Sequence, residues 1–121
     1  MTIRLISFGF KMGAPLKCNR LIDLRDMRNP HKRADLRELT GRDKAVQDYV
    51  RSDPKFDLKL INAKRGMTFN DVIGIGCFGG RHRSVAMVEI LTRNLVAQGH
   101  QVIIEHRELG ITEQHTPENA T

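Results

Sequence analysis

The sequence predicts a single α/β domain with a mostly parallel sheet of about four strands and flanking helices. Short apolar runs typical of strands alternate along the chain with segments whose apolar residues recur at helical spacing. No internal repeat and no linker-like stretch interrupts the 121 residues. A chain of this length with 40% hydrophobic residues can bury one modest core, so we expect one domain.

Two strands are predicted near the N-terminus. Alternating apolar residues indicate a first strand over residues 2–8, and glycines then mark a loop that reaches Pro15. The apolar run at residues 21–24 predicts a short second strand. Residues 28–31, Arg-Asn-Pro-His, break regular structure and predict a further loop.

Two helices are predicted in the middle of the chain. Residues 40–43, Thr-Gly-Arg-Asp, resemble a helix start, and the apolar residues that follow share one helical face: Ala45, Val46, Tyr49 and Val50. Pro54 ends this helix. A second helix is predicted from about residue 55 to residue 63.

The remaining elements are a third strand over residues 71–76, a long helix over 84–97 and a last strand over 101–105. The long helix has the strongest periodicity, with Gly99 as its C-cap and apolar residues at Val85, Val88, Leu91 and Leu95. Residues 110–121 are polar, and we expect them to form a flexible tail after a domain that spans residues 1–109.

The charge of the chain is concentrated in its first part. Residues 1–70 hold 16 Lys and Arg against 8 Asp and Glu, whereas residues 71–121 hold 4 against 6. This distribution favours a polyanionic partner, although a solvated basic surface would have the same composition. With five Phe, one Tyr and no Trp, the chain is poorly supplied for stacking on bases, so we expect any RNA to be held by its backbone and shape.

The same sequence argues against a membrane protein and a disulfide framework. It contains no run of about 18 apolar residues, and Arg4 is followed by too short an apolar run for a signal peptide. Two cysteines, Cys18 and Cys77, are not a disulfide framework, and we expect Cys77 to be a free thiol. We therefore expect a reducing cytoplasm as the setting and no membrane contact.

The most informative segment is residues 76–84, which read Gly-Cys-Phe-Gly-Gly-Arg-His-Arg-Ser. It lies between a predicted strand and a predicted helix, and its adjacent glycines let the backbone approach a ligand. The following helix directs unpaired N–H groups to the same place. Arg83 adds donors that suit phosphate or carboxylate, and His82 can donate a proton. The loop is therefore predicted to hold an oxyanion.

Ligands of parallel sheets bind beyond the carboxyl ends of the strands. That rule brings residues 8–11, 23–25 with the loop 29–31, and 77–84 to one edge and makes Asp23, His31 and Cys77 further candidates. Each has an ordinary alternative: Asp23 could cap a loop, His31 could be a surface turn residue, and Cys77 could be a small core residue.

The spacing Cys77-x5-Arg83 permits a catalytic hypothesis. A thiolate at Cys77 could attack phosphorus while Arg83 holds the equatorial oxygens, as in cysteine-dependent phosphatases. Asp23 or Asp26 would be the general acid. A metal site is not predicted, because His31, Cys77 and His82 lack paired-ligand spacing, and we expect no cofactor.

Five short motifs follow one another between residues 7 and 109. They are residues 76–85 around the anion loop, residues 7–15 (Ser-Phe-Gly-Phe-Lys-Met-Gly-Ala-Pro), Asp23-Leu24-Arg25 with Asn29-Pro30-His31, Leu39-Thr40-Gly41-Arg42-Asp43, and His106-Arg107-Glu108-Leu109. In this order they resemble motifs of the C-terminal domain of the RapZ/YvcJ family. The family's loop signature reads Gly-Cys-Thr-Gly-Gly-Lys/Gln-His-Arg-Ser-Val.

The resemblance implies a regulatory binding domain rather than a catalyst. In that family an ATP-binding P-loop domain precedes this one, and the protein is an RNase adaptor whose C-terminal domain binds small regulatory RNA and senses glucosamine 6-phosphate. Carried over to this chain, the pocket would be formed by Asp23, His31, Cys77, Gly79, Gly80, His82, Arg83 and Ser84. We expect a phosphorylated amino sugar as ligand, structured RNA as a partner, and self-association.

This sequence differs from the family pattern at three places. It lacks the P-loop motif, so we expect a standalone domain without nucleotide hydrolysis. Phe78 replaces a small polar residue, and residues 110–118 contain no Lys or Arg where RNA-binding members carry a basic cluster. The alternative basic strip near the pocket would consist of Lys11, Arg25, Arg28, Lys32, Arg33 and Arg37.

Overall fold

A computed structural model describes residues 2–68 and 70–119. In this part of the chain five strands form one sheet: β1 (Thr2–Gly9), β2 (Arg20–Asp23), β3 (Val72–Cys77), β4 (Gln101–His106) and β5 (Ile111–His115). Three α-helices accompany them, α1 (Lys44–Arg51), α2 (Phe56–Lys64) and α3 (Arg83–Ala97). The α/β class and the mostly parallel sheet are confirmed.

The strand order is β2-β3-β1-β4-β5, with the first four strands parallel and β5 antiparallel to β4. The register pairs Gly9 with Cys77 and Asp23 with Gly76, while Ser7 lies beside His106. The carboxyl ends of β1, β2 and β3 therefore meet at one edge of the sheet, as the sequence predicted.

The core lies between the sheet and α3, which contacts β1, β3 and β4. Alternate strand residues are fully buried, as expected of strands that pack one face against helices: Ile3, Leu5, Ile73, Ile75, Val102 and Ile104. α1 packs on α3, and α2 packs on β2. No helix in the described residues is long and apolar enough to span a membrane.

The expectation of a flexible tail after residue 109 is wrong for residues 111–115. Gly110 adopts a left-handed conformation, with φ 66°, and turns the chain back so that β5 pairs with β4. The strand is polar but alternates, because Ile111, Glu113 and His115 are half-buried while the residues between them are exposed. The sheet has five strands instead of about four for this reason. Residues 120 and 121 of the expected tail lie outside the described residues.

Candidate functional site

The loop between β3 and α3 lies directly against the end of β1. Gly80 has φ 80°, and a Cβ there would come within 2.5 Å of the Gly9 nitrogen and 2.8 Å of the Phe8 carbonyl carbon. A Cβ at Gly9 would in turn lie 2.6 Å from the Gly79 carbonyl carbon. By contrast, a Cβ at Gly79 would have no atom within 4 Å among the described residues. Gly80 is therefore required by the fold, whereas Gly79 leaves open space beside its backbone.

Arg83 is the first residue of α3 and is 4% exposed. Its Nη1 donates to the carbonyl oxygens of Leu24 at 3.3 Å, Arg25 at 3.2 Å and Met27 at 2.9 Å. Its buried Nε has no hydrogen-bond partner among the described residues. The loop after β2 thus holds in place a buried guanidinium that also lines the cavity described below.

Cys77 ends β3 and is 2% exposed. Its thiol donates to Ser84 Oγ at 3.2 Å, and its Sγ accepts the Ser84 N–H at 3.4 Å. Ser84 is completely buried, and these two hydrogen bonds hold Cys77 in place at the end of β3. The family resemblance placed Ser84 in the pocket, but the structure puts it in this supporting position.

His82 is buried and hydrogen-bonds to the Arg37 carbonyl oxygen through Nε2, at 3.2 Å. Burial lowers the pKa of His82 below its usual value, against the opposing effect of backbone hydrogen bonds. Its neutral form therefore dominates near pH 7. Because a carbonyl oxygen only accepts, Nε2 carries the proton in this contact. The His31 ring lies 6.2 Å away, between centroids.

A first cavity of about 480 Å³ opens over this loop, a volume typical of small-molecule sites. It brings together six of the predicted pocket residues: His31, Cys77, Gly79, Gly80, His82 and Arg83. Its other lining residues are Lys11, Met12, Asn29, Phe78, Arg81 and Glu108.

Asp23 lies outside the lining of this cavity, contrary to the expectation from the resemblance. Its carboxylate is bound by the guanidinium of Arg25, at 2.8 Å from Nη2 and 3.1 Å from Nε. This interaction lowers the pKa of Asp23. The Lys59 ammonium, 2.9 Å from the carboxylate, likewise lowers the pKa of Asp26. Both side chains are ionised near pH 7 and are poor general acids.

A second cavity of about 490 Å³ adjoins the first and shares Asn29, Phe78 and Arg83 with it. Its remaining lining residues are Arg25, Met27, Arg28, Lys32 and Tyr49. The predicted basic strip is thereby divided: Lys11 lines the first cavity, while Arg25, Arg28 and Lys32 line the second.

The other two residues of the strip make contacts within the protein. Arg33 pairs with Asp35 at 2.7 Å, and the Arg37 Nε donates to the His31 carbonyl oxygen at 2.8 Å. Each therefore has a structural partner of its own.

Glu108 also lines the first cavity, although residue type alone did not predict it. Glu108 accepts the Gly9 N–H at 2.8 Å and pairs with Arg107 at 2.9 Å, in both cases through Oε2. Glu108 belongs to the His-Arg-Glu-Leu motif, which the sequence did single out. The motif alone did not indicate which of its four residues lines the cavity.

Hydrogen bonds connect three side chains, Ser7, His106 and Glu89, beneath the edge of the sheet where the strands end. Ser7 Oγ is 2.7 Å from His106 Nδ1, and His106 Nε2 is 2.7 Å from Glu89 Oε2. Although this resembles a nucleophile with its base, Ser7 and His106 are completely buried, so a substrate has no access to the hydroxyl. These hydrogen bonds connect β1 and β4 to α3. Among residues 2–68 and 70–119, no cluster of three or more His, Cys, Asp or Glu could hold a metal ion.

Comparison with known proteins identifies one family. A family model described as the RapZ C-terminal domain matches residues 1–110. Proteins named nucleotide-binding protein from Acidithiobacillus ferrooxidans and Acidiphilium cryptum are each 41% identical to this chain, over 96% and 91% of it. One of the same name from Clostridium botulinum is 38% identical over 90%. The chain spans about two fifths of these relatives, 42%, 40% and 41% of their lengths.

Proposed function

Since this chain belongs to the RapZ C-terminal domain family, we propose that it is a regulatory domain that senses an amino-sugar phosphate of the glucosamine 6-phosphate type. The observation that carries the proposal is Arg83, a buried guanidinium that lines the first cavity and is held by three carbonyl oxygens. No ion pair joins Arg83 to a carboxylate among the described residues, and a buried positive charge is costly unless an anion compensates it. The name of its relatives, nucleotide-binding protein, agrees with a phosphorylated ligand.

The phosphate would lie where the loop and α3 meet. The open space beside Gly79 gives it room, and the N-terminus of the 15-residue helix α3 favours a negative charge there. Glu108 would hold the sugar's ammonium group, because its contacts with Gly9 and Arg107 involve Oε2 and no hydrogen bond engages Oε1 among the described residues. This assignment replaces Asp23, which is paired with Arg25.

Phosphorus NMR tests this proposal under reducing conditions. We expect the ester signal of glucosamine 6-phosphate to broaden or shift on addition of protein, without growth of inorganic phosphate. Cys77→Ser should retain this binding, since the side chain lines the cavity without reacting. Unchanged signals at millimolar ligand would contradict the proposal.

A cysteine-dependent phosphatase is the alternative, favoured by the Cys77–Ser84 hydrogen bond and by Arg83 at the required spacing. It lacks a suitable acid at Asp23 or Asp26, whose pKa values are lowered. Inorganic phosphate that accumulates with the wild type and not with Cys77→Ser would establish this alternative instead.

RNA binding is a second candidate, favoured by the cations at the rim. Among the described residues, no carboxylate oxygen lies within 4.0 Å of the side-chain nitrogens of Lys11, Arg28 or Lys32. A binding assay at several salt concentrations tests it: Lys32→Glu should weaken affinity for a structured RNA and reduce the slope of log affinity against log salt by about 1. An unchanged slope would exclude Lys32 from the RNA contact.

Self-association and a reducing cytoplasm complete the proposal. Leu58 and Ile61 lie one turn apart on α2 and are 60% and 53% exposed, which suits contact with a second copy. Light scattering should show a dimer or larger assembly that Leu58→Glu with Ile61→Glu dissociates; a monomeric wild type would refute this. Cys18 and Cys77 are both free thiols, as expected in a reducing compartment.

A further inference from the structure

The second cavity extends the site beyond what a monophosphate needs. It is as large as the first, at about 490 Å³ against about 480 Å³, and the two meet at Asn29, Phe78 and Arg83. A hexose phosphate placed with its phosphate at the loop would occupy the first cavity and leave the second empty.

The second cavity is lined by four cations, Arg25, Arg28, Lys32 and Arg83, and by no carboxylate among the described residues. Asp23 offsets the charge of Arg25 from outside the lining. A concave surface with one sign of charge focuses the potential on its interior and concentrates counter-ions there.

These cations project from a backbone that is already fixed. Asp53 is 7% exposed and accepts the Arg28 N–H at 2.7 Å, while the Asn29 side chain accepts the His31 N–H at 3.1 Å. The Nη1 of Arg83 holds three carbonyl oxygens of the same segment. A segment held in this way does not need to be ordered by its ligand, which favours a built subsite over a flexible basic surface.

We propose that the second cavity is a subsite for a second phosphate of the same ligand, held by Arg28 and Lys32 with Arg83 between the two phosphates. The inference rests on the proposed function, since the first phosphate is the one assigned to the β3–α3 loop. It assigns the ligand to phosphorylated small molecules that carry two phosphates.

Two sources supply this chemistry, a sugar bisphosphate and a nucleotide. Phe78 is 57% exposed, lines both cavities, and with Tyr49 provides aromatic surface on which a base could stack. Titrations with one ligand of each kind distinguish the two sources.

Calorimetric titration of the whole chain compares glucosamine 6-phosphate with glucosamine 1,6-bisphosphate. We expect the bisphosphate to bind about tenfold or more tightly, because charge-assisted hydrogen bonds are strong. The double variant Arg28→Gln with Lys32→Gln should abolish this advantage and leave the affinity for the monophosphate nearly unchanged. Arg33→Gln is the matched control, since Arg33 lies outside both linings and should preserve the advantage.

The outcomes separate the two proposals. If the wild type binds glucosamine 6-phosphate and glucosamine 1,6-bisphosphate with equal affinity, the second subsite is overturned and the sensing function stays intact. If it binds neither sugar, the sensing function is overturned. An advantage that survives in the double variant would also overturn the subsite. The ligand is a nucleotide if adenosine 5′-diphosphate binds more tightly than glucosamine 1,6-bisphosphate and loses affinity in Phe78→Ser. It is a sugar bisphosphate if glucosamine 1,6-bisphosphate binds more tightly than adenosine 5′-diphosphate.

Discussion

Gly79 and Gly80 are neighbours in the anion loop, but the backbone requires a glycine only at position 80. Ala at position 80 would force a side chain into φ 80° and against the backbone of residues 8 and 9. We expect Gly80→Ala to lower the free energy of unfolding by about 1–3 kcal/mol, the usual range for such strain. Urea unfolding followed by circular dichroism measures this.

Gly79→Ala is the matched variant, because its methyl group would enter open space in the cavity. We expect it to leave the unfolding curve nearly unchanged and to weaken glucosamine 6-phosphate binding, measured by calorimetry. Loss of stability equal to that of Gly80→Ala would show that the open space is filled by the protein itself.

Individual site residues were predictable where the chain itself fixes their place. Cys77, Gly79, Gly80, His82 and Arg83 belong to one strand–loop–helix connection, so they lie together whatever the rest of the fold does. Asp23 was placed by the strand-end rule, which gives the position of a Cα and not the direction of a side chain. The carboxylate instead pairs with Arg25, two residues along the chain.

Among the structural elements, the segment between β2 and the 3-10 turn Pro30–Lys32 is joined to the start of α2 by the carboxylate of Asp53. Asp53 accepts N–H groups of Arg28 at 2.7 Å and Lys55 at 2.9 Å. Burial opposes its ionisation, but these hydrogen bonds outweigh that effect and lower the pKa of Asp53. The carboxylate therefore joins the start of α2 to the wall of the second cavity.

We expect Asp53→Ala to lower the free energy of unfolding by about 1–3 kcal/mol, because two amides lose their acceptor. Denaturant unfolding measures this loss. Asp35→Ala is the control, as Asp35 is an exposed partner of Arg33, and it should leave the curve unchanged. An equally stable Asp53→Ala protein would mean that water replaces the carboxylate.

The elements were predicted closely, and their errors have physical causes. β3 extends to Cys77 because Cys77 still pairs with Gly9 of β1, and α3 begins at Arg83 because the Ala86 N–H donates to the His82 carbonyl oxygen at 2.9 Å, so each element reaches one residue beyond its predicted limit. β5 was missed because its sequence, Ile-Thr-Glu-Gln-His, has low hydrophobicity. Its pairing with β4 and the Arg42–Glu113 ion pair at 3.0 Å are long-range contacts that local propensity does not reveal.

For the whole molecule, the lowered pKa of His82 makes stability depend on pH. The unfolded chain takes up this proton with a pKa of about 6.5, whereas burial makes the folded protein take it up at lower pH. The contribution of neutral His82 is therefore complete above about pH 6.5 and is lost as the pH falls through the folded pKa. Carboxyl groups with lowered pKa, such as Asp71 and Glu113, lose their contribution at lower pH still.

We expect the free energy of unfolding to fall as the pH drops below about 6.5, measured by urea titration. His82→Gln keeps a donor for the Arg37 carbonyl oxygen and should flatten this dependence. An identical slope in both proteins would assign the pH dependence to other groups.

The attachment of Arg83 to the carbonyl oxygens of Leu24, Arg25 and Met27 has a consequence for kinetics. Because the guanidinium is fixed before the ligand arrives, binding needs no closing motion, and association should proceed at the rate of encounter. The domain would then remain rigid, and the free and bound states would differ only in whether the ligand is present. Any signal to a partner would come from the charge that the bound phosphate adds at this edge, with the backbone nearly unmoved.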